Sequence, residues 1–115
     1  MTTRHNIARW TGEAGDATAA RDQFAALLPI EEQVLGSEDF RVLVTRYESA
    51  RWTGHAGNAA AARDQLAALL PVQERILGPE HPRTVTTRYE LNRWKAQVDE
   101  ATSDSPVLDA TRQGL

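Results

Sequence analysis

Cysteine is absent from this 115-residue chain. Its absence excludes disulfides, thiolate nucleophiles and zinc sites built on sulfur. Aromatic residues make up only 6% of the sequence, and valine and isoleucine are sparse, which disfavours β-strands. Alanine, leucine, glutamate, glutamine and arginine are abundant, and these residues favour helix. The composition therefore predicts an all-α protein with a modest apolar core.

Long apolar runs and excess positive charge are also lacking. The sequence contains no stretch of 18 apolar residues, the length needed to cross a membrane. Its beginning, "MTTRHNIARWTGEAG", lacks the continuous apolar segment that is typical of a signal peptide. The formal net charge is −3, and no block of basic residues marks a nucleic-acid surface. We therefore expect a soluble, cytoplasmic protein that binds neither membrane nor nucleic acid.

The chain does contain a long internal repeat. The segment "ARWTGEAGDATAARDQFAALLP" at residues 8–29 returns as "ARWTGHAGNAAAARDQLAALLP" at residues 50–71. Trp10, Trp52 and Trp94 follow at intervals of 42 residues. Such self-similarity is typical of arrays in which each unit buries its apolar face against the next unit.

Each unit contains the pattern of two helices. The first helix is predicted from about Asp39 to Thr53, with Gly54 and Gly57 just beyond it as terminating residues. Asn58 is suited to cap the next helix, along which apolar residues recur at steps of three and four. The unit is therefore predicted to be an antiparallel helical hairpin.

A proline lies inside each second helix. Pro29 and Pro71 each remove one backbone hydrogen bond and crowd the preceding turn. We expect a continuous, kinked helix in both units. The alternative is a break, with the proline starting a separate short helix.

Several residues carry a resemblance to a known family: Asn6, Ile7, Ala8, Gly15, Ala20, Phe24, and the ending "LG" followed by "PEHP". Over residues 1–95 the chain resembles the tetratricopeptide repeat in its longer, 42-residue form, as in kinesin light chains and in many repeat proteins of high-GC bacteria. The resemblance implies a solenoid of helical hairpins with about five helices, and a scaffold that binds a protein or peptide. A HEAT-like helical repeat is the alternative.

Extended to the whole chain, the interval predicts repeat 1 at residues 1–42, repeat 2 at 43–84, a partial repeat acting as a capping helix at 85–101, and a flexible tail at 102–115. Met1 corresponds to Leu43, so the first helix of repeat 1 is truncated, as expected for a segment of a longer array. Ala96 replaces the glycine at position 54, and the last helix is expected to continue to about Ala101.

No catalytic constellation is present in the sequence. His5, His55 and His81 are dispersed, and we interpret them as surface histidines rather than acid–base groups or metal ligands. Glu31 and Glu32 fit a solvated helix face better than a paired acid and base. We expect no enzymatic activity, no metal and no cofactor.

The resemblance implies that the first helix of each repeat lines a concave surface. The predicted partner-binding residues are His5, Arg9, Tyr47, Glu48, Arg51, Tyr89, Glu90 and Arg93. Among them, one row consists of His5, Tyr47 and Tyr89, and a second row, one helical turn away, consists of Arg9, Arg51 and Arg93. Such a surface is suited to acidic peptides or planar side chains. In the alternative, each arginine only pairs with a glutamate of its own helix.

The three tryptophans are interpreted as packing wedges between repeats rather than as a ligand cage. A second functional hypothesis uses the ends of the array. Ile7 and Trp10 at one end and Leu91 and Trp94 at the other are expected to leave apolar surface. Through these ends the chain would form homo-oligomers.

Overall fold

The computed structural model describes residues 2–103, with side chains for residues 4–101. It consists of five helices: α1 (Thr2–Glu13), α2 (Ala17–Leu35), α3 (Phe40–His55), α4 (Ala59–Ile76) and α5 (Pro82–Ser103). No strand occurs within this range. The predicted all-α solenoid of about five helices is confirmed. Of the predicted flexible tail, residues 104–115 lie outside the described part.

Side chains of polar residues cap the helices as the sequence predicts. The side chain of Asn58 accepts a hydrogen bond from the backbone nitrogen of Ala61 at 3.1 Å, and Asp16 does the same for Ala19 at 3.0 Å. Gly57 has a φ of +106°, a left-handed conformation that glycine adopts without strain. These residues turn each first helix back onto its second helix.

The start of α5 is capped by a histidine. His81 Nδ1 accepts a hydrogen bond from the backbone nitrogen of Arg83 at 3.1 Å. Pro82 is the first residue of the helix, where its missing N–H is not needed. His81 therefore has a structural role in the turn between α4 and α5.

The prediction that α3 ends before Gly54 is wrong. The helix continues to His55, and Gly54 is buried inside it. A Cβ atom at Gly54 would lie 2.6 Å from Cε2 of Trp94, and a Cβ atom at Gly12 would lie 2.7 Å from the ring of Trp52. These glycines therefore serve the close approach of the next repeat's indole, not helix termination.

Both second helices continue through their prolines. Pro29 lies within α2 and Pro71 within α4. Of the two alternatives, the continuous helix is correct and the break is not. The proline turns are kept in place by packing, since Leu27 and Leu69, two residues before each proline, are buried.

The helices pack in chain order, each against its neighbours, and enclose two successive cores. The first core contains Ala8, Ala20, Phe24 and Trp52. The second core contains Leu43, Tyr47, Ala50, Ala62, Leu66, Leu69, Leu91 and Trp94. Every member of the first core has its counterpart 42 residues later in the second. Each hairpin is thus closed by the tryptophan of the following helix.

The exposure of the tryptophans supports the wedge interpretation. Trp52 is 5% exposed and Trp94 is 3% exposed, whereas Trp10 is 64% exposed. The expected apolar surface at Ile7 and Trp10 is present. The expectation of exposed Leu91 and Trp94 is wrong, because α5 packs on α4 and Trp94 fits over Gly54.

Candidate functional site

A groove of about 450 Å³ lies between the first helices of the repeats. Five of the eight predicted partner-binding residues line it: His5, Arg9, Tyr47, Glu48 and Arg51. Arg83 and Thr86 of α5 complete one side, and Arg41 and Val44 of α3 lie between. The groove therefore spans α1, α3 and α5, the three helices that the resemblance places on the concave surface.

The other three predicted residues, Tyr89, Glu90 and Arg93, do not line the groove. They lie on α5 at the positions that His5 and Arg9 occupy on α1 and that Tyr47 and Arg51 occupy on α3. For the residues on α1, α3 forms the opposite wall of the groove, and for those on α3, α5 forms it. Within residues 2–103 no helix follows α5, so the opposite wall is missing there.

The floor of the groove is a buried carboxylate. Glu31 is fully buried, its Oε1 accepts a short hydrogen bond from the hydroxyl of Thr45, and its Oε2 lies 3.0 Å from Nε2 of His5. His5 Nε2 also lies 2.8 Å from Oγ1 of Thr45. Because burial of a carboxylate requires hydrogen-bonding partners, these three side chains form one satisfied cluster.

Two predictions about this cluster are wrong. Glu31 does not belong to a solvated face, since it continues the buried line of Ala20, Phe24 and Leu27 on α2. His5 is not a plain surface histidine, because its side chain is only 20% exposed and is held by Glu31. The ring of His5 also meets Phe24 edge-on at 5.6 Å.

The corresponding cluster of the next repeat has different chemistry. Gln73 replaces Glu31, Thr87 corresponds to Thr45 and Tyr47 replaces His5. Gln73 Oε1 and Thr87 Oγ1 are buried and have no hydrogen-bond partner among the described residues. A charged floor is therefore a property of the first repeat and not of the second.

The arginines of the predicted row make ion pairs within their own helices. Arg51 Nη1 lies 3.7 Å from Glu48 Oε2, and Arg93 Nη1 lies 3.6 Å from Glu90 Oε1. Arg9 pairs with Glu13 at 3.3 Å. Such partly exposed pairs contribute little stability. A guanidinium has five N–H donors, so one pair leaves further donors for another group.

Glu48 and Arg51 are also tied to the wedge tryptophan. Trp52 Nε1 donates a hydrogen bond to Glu48 Oε2 at 3.1 Å, and the guanidinium carbon of Arg51 lies 4.6 Å from the ring centroid of Trp52. The contact between a guanidinium and an indole face is attractive. The position of Arg51 at the groove is thus set by the packing between the first two repeats.

His55 lies between two wedge tryptophans. Its ring centroid is 5.4 Å from that of Trp52 and 5.3 Å from that of Trp94. Burial first, and then the positive charges of Arg51 and Arg93, lower the pKa of His55 below its usual 6.5. The neutral imidazole is therefore the form that this environment favours.

The predicted row of His and Tyr is not a uniform exposed surface. Tyr47 is 8% exposed, and Tyr89 is 68% exposed. Burial, with the negative charges of Glu90 and Glu48 as lesser causes, raises the pKa of Tyr47 to about 12. Tyr47 thus acts mainly as a core residue that also lines one wall of the groove.

Guanidinium groups outnumber carboxylates in the lining of the groove, although the chain has a net charge of −3. Four guanidinium groups line it, those of Arg9, Arg41, Arg51 and Arg83, against the carboxylates of Glu31 and Glu48. Arg41 is paired with Asp39 at 3.2 Å. The guanidinium of Arg83 lies 5.9 Å from the ring centroid of Phe40. Anionic groups are the ligands that such a surface attracts.

Sequence reasoning missed Arg41 and Arg83 as groove residues. The signal was available, because the two are 42 residues apart like every other repeated position. The described residues contain no group of three or more His, Asp or Glu side chains that could hold a metal ion. In the same part of the chain, no helix is long and apolar enough to cross a membrane.

The chain is similar to known proteins that contain repeats of this kind. Residues 46–83 match the family model of the tetratricopeptide repeat. The fold is similar to the crystal structure of a variant of nearly identical TPR-like repeats, described as a kinesin light chain of Podosopora anserina. The TM-score is 0.75 and the identity is 24%, over 99% of this chain and 62% of that chain. No curated protein matches the sequence.

Proposed function

We propose that this chain, whose residues 46–83 match the tetratricopeptide-repeat family model, is an interaction scaffold that holds an acidic peptide segment of a partner protein in the groove between α1, α3 and α5. Tetratricopeptide repeats generally mediate protein–protein interaction, and proteins of this fold are typically scaffolds without enzymatic activity. The chain covers 62% of the similar kinesin-light-chain structure, so partner and groove are proposed from this chain's own residues.

The charge of the groove is the observation that carries the proposal. Four arginines converge on a volume of about 450 Å³, and only two carboxylates line the same space. One of these, Glu31, is held by Thr45 and His5 and does not compete for the guanidinium groups. An acidic side chain of a partner gains charge-assisted hydrogen bonds there, from guanidinium donors that the intramolecular ion pairs leave available.

The experiment uses two arginines that differ in one respect. Arg51 and Arg93 are equivalent positions, each with an i,i+3 glutamate partner and a tryptophan under its guanidinium. Only Arg51 lines the groove. The probe is a fluorescein-labelled peptide of ten glutamates, measured by anisotropy, with a peptide of ten lysines as the negative control.

We expect Arg51→Ala to weaken binding of the glutamate peptide about 5- to 10-fold, corresponding to about 1 to 1.4 kcal/mol for one lost charge-assisted contact. Arg93→Ala should change the affinity less than about 2-fold, and circular dichroism should show equal helicity in both variants. Equal losses in the two variants, or none in either, would place the peptide elsewhere. Binding of the lysine peptide would contradict the proposed chemistry.

Self-association through both ends of the array has less support. It requires apolar surface at both ends, and Leu91 and Trp94 are 6% and 3% exposed. Sedimentation velocity over a concentration series tests it directly. A monomer at every concentration removes this second hypothesis, whereas a head-to-tail oligomer restores it.

A further inference from the structure

Two arginines of the groove occupy equivalent positions in successive repeats. Arg41 is the second residue of α3, and Arg83 is the second residue of α5, 42 residues later. Both side chains line the groove. Their surroundings differ, and the difference determines which guanidinium is available to an anionic group of a partner.

Arg41 is paired with a carboxylate of its own turn. Its Nε lies 3.2 Å from Oδ1 of Asp39, and its Nη2 lies 3.5 Å from Oδ2. The hydrogen bond from the side chain of Arg41, followed by that from its backbone nitrogen, lowers the pKa of Asp39 below its usual 3.8. The carboxylate is therefore ionised at neutral pH, and its charge offsets that of the guanidinium.

Arg83 has no such carboxylate beside it, because the residue at the position of Asp39 is His81. His81 Nδ1 accepts a hydrogen bond from the backbone nitrogen of Arg83 at 3.1 Å, and an accepting Nδ1 belongs to a neutral imidazole. The guanidinium of Arg83 makes no ion pair with any of the described residues. It lies 5.9 Å from the ring centroid of Phe40, a contact that attracts a cation without neutralising it.

A second difference lies one turn further along each helix. Thr86 lines the groove on α5, whereas Val44 occupies the equivalent position on α3. Residues three apart on a helix are neighbours, so the hydroxyl of Thr86 shares a face with the guanidinium of Arg83. Thr86 is exposed, and its hydroxyl has no hydrogen-bond partner in the described part of the chain. The α5 side thus offers two unpaired donors, and the α3 side offers a paired guanidinium and an apolar group.

We propose that Arg83 and Thr86 bind the carboxylate of an acidic residue of the partner, and that Asp39 withholds Arg41 from it. The assignment rests on the proposed function, because it names the residues that anchor the partner in the same groove. Arg41 keeps free N–H donors, but a carboxylate that approaches it meets the negative charge of Asp39. The acidic residue is therefore held at the α5 side of the groove.

The first experiment compares the two equivalent arginines. The probe is again the fluorescein-labelled peptide of ten glutamates, measured by anisotropy. We expect Arg83→Ala to weaken binding about 10- to 30-fold, and Arg41→Ala to weaken it less than about 3-fold. Each variant removes one positive charge from the same groove, so net charge does not explain a difference between them. Equal losses in the two variants, with helicity unchanged in circular dichroism, would overturn the assignment.

The second experiment changes the capping residues and leaves both arginines in place. Asp39→Asn keeps a side chain suited to cap α3 but removes its charge, and it should strengthen binding about 2- to 5-fold. His81→Asp gives Arg83 the partner that Arg41 has, and it should weaken binding about 2- to 5-fold. Asp22→Asn removes the same charge outside the groove and should leave the affinity unchanged. If Asp39→Asn does no more than Asp22→Asn, or if His81→Asp has no effect, Asp39 does not withhold Arg41.

The role of the hydroxyl is tested by exchanging the side chains one turn further along. Thr86→Val should weaken binding about 3-fold, because it removes one hydrogen-bond donor and retains the shape of the side chain. Val44→Thr should strengthen binding less than about 2-fold, since Arg41 beside it stays paired with Asp39. Unchanged binding in Thr86→Val would remove Thr86 from the site.

The Arg51 variant separates this assignment from the proposed function. If Arg51→Ala weakens binding while Arg83→Ala and Arg41→Ala weaken it equally, the groove holds the peptide but the assignment of the anchor is wrong. If the unmodified protein does not bind the glutamate peptide, both the proposed function and the anchor are refuted.

Discussion

Gly54→Ala is the substitution that tests the packing between repeats most directly. In an ordinary helix interior it would stabilise the protein by about 1 kcal/mol, because alanine is the better helix former. At this position the new Cβ would lie 2.6 Å from Cε2 and 2.7 Å from Cη2 of Trp94. The ring is 3% exposed and packs in the second core, so it has little room to move.

Overpacking of this kind costs about 1 to 3 kcal/mol and here exceeds the gain in helix propensity. We expect a net loss of up to about 2 kcal/mol in the free energy of unfolding, or up to about 8 °C in Tm for a chain of this size. Ala96→Gly is the reciprocal control. Position 96 is exposed and has no indole above it, so glycine there should lose only about 1 kcal/mol of helix propensity.

The assay is urea denaturation followed by circular dichroism, repeated in a Trp94→Leu background. Without the indole, Gly54→Ala should become neutral or stabilising by up to about 1 kcal/mol, so the two substitutions should be coupled. A higher midpoint for Gly54→Ala in the unmodified chain would refute the reasoning. The same sign in both backgrounds would show that the indole is not the cause.

Three further results are expected from buried or titrating groups. Glu31→Ala should lower the free energy of unfolding by about 1 to 3 kcal/mol in urea denaturation, since it removes the buried carboxylate that Thr45 and His5 contact, whereas the exposed Glu32→Ala should change it by less than about 0.5 kcal/mol. His55 has a lowered pKa in the folded state, so the unfolded chain binds the proton more readily and stability should fall as the pH drops below 6.5; His55→Gln should flatten that dependence in thermal melts from pH 5 to 8. Tyr47 should ionise with a pKa of about 12 in an ultraviolet titration. Because its folded-state pKa is raised from 10.0, its contribution to stability should be lost as the pH rises from 10.0 to about 12. An ordinary phenol pKa would contradict the burial of Tyr47.

The fold was predictable because it follows from spacing along the chain. The interval of 42 residues and the caps at Asp16 and Asn58 are local signals, and they yield the helical hairpins. Pro29 and Pro71 left two alternatives, which the packing around them decides. The exposure of residues at the ends of the array was harder to predict from the sequence, since the burial of Leu91 and Trp94 depends on how fully one helix covers another.

The groove was predictable only in part, because its walls come from different repeats. His5, Arg9 and Arg51 follow from the position of a first helix on the concave surface. Arg41 and Arg83 lie at the starts of α3 and α5 and are related by the 42-residue interval, but their place in the groove depends on how these helices pack. Glu31 could have been identified, since it lies one turn beyond Leu27 on the buried side of α2.

The two cores share α3 but differ in size, with four buried apolar residues in the first and eight in the second. If α1 and α2 separate from α3, only the smaller core is lost, and the enclosure of Leu66 by α3, α4 and α5 persists. Amide hydrogens of α2 near Phe24 should therefore exchange with deuterium sooner than those of α4 near Leu66. Proteases should likewise cleave the hairpin of α1 and α2 first. The molecule should therefore unfold stepwise from its N-terminal end.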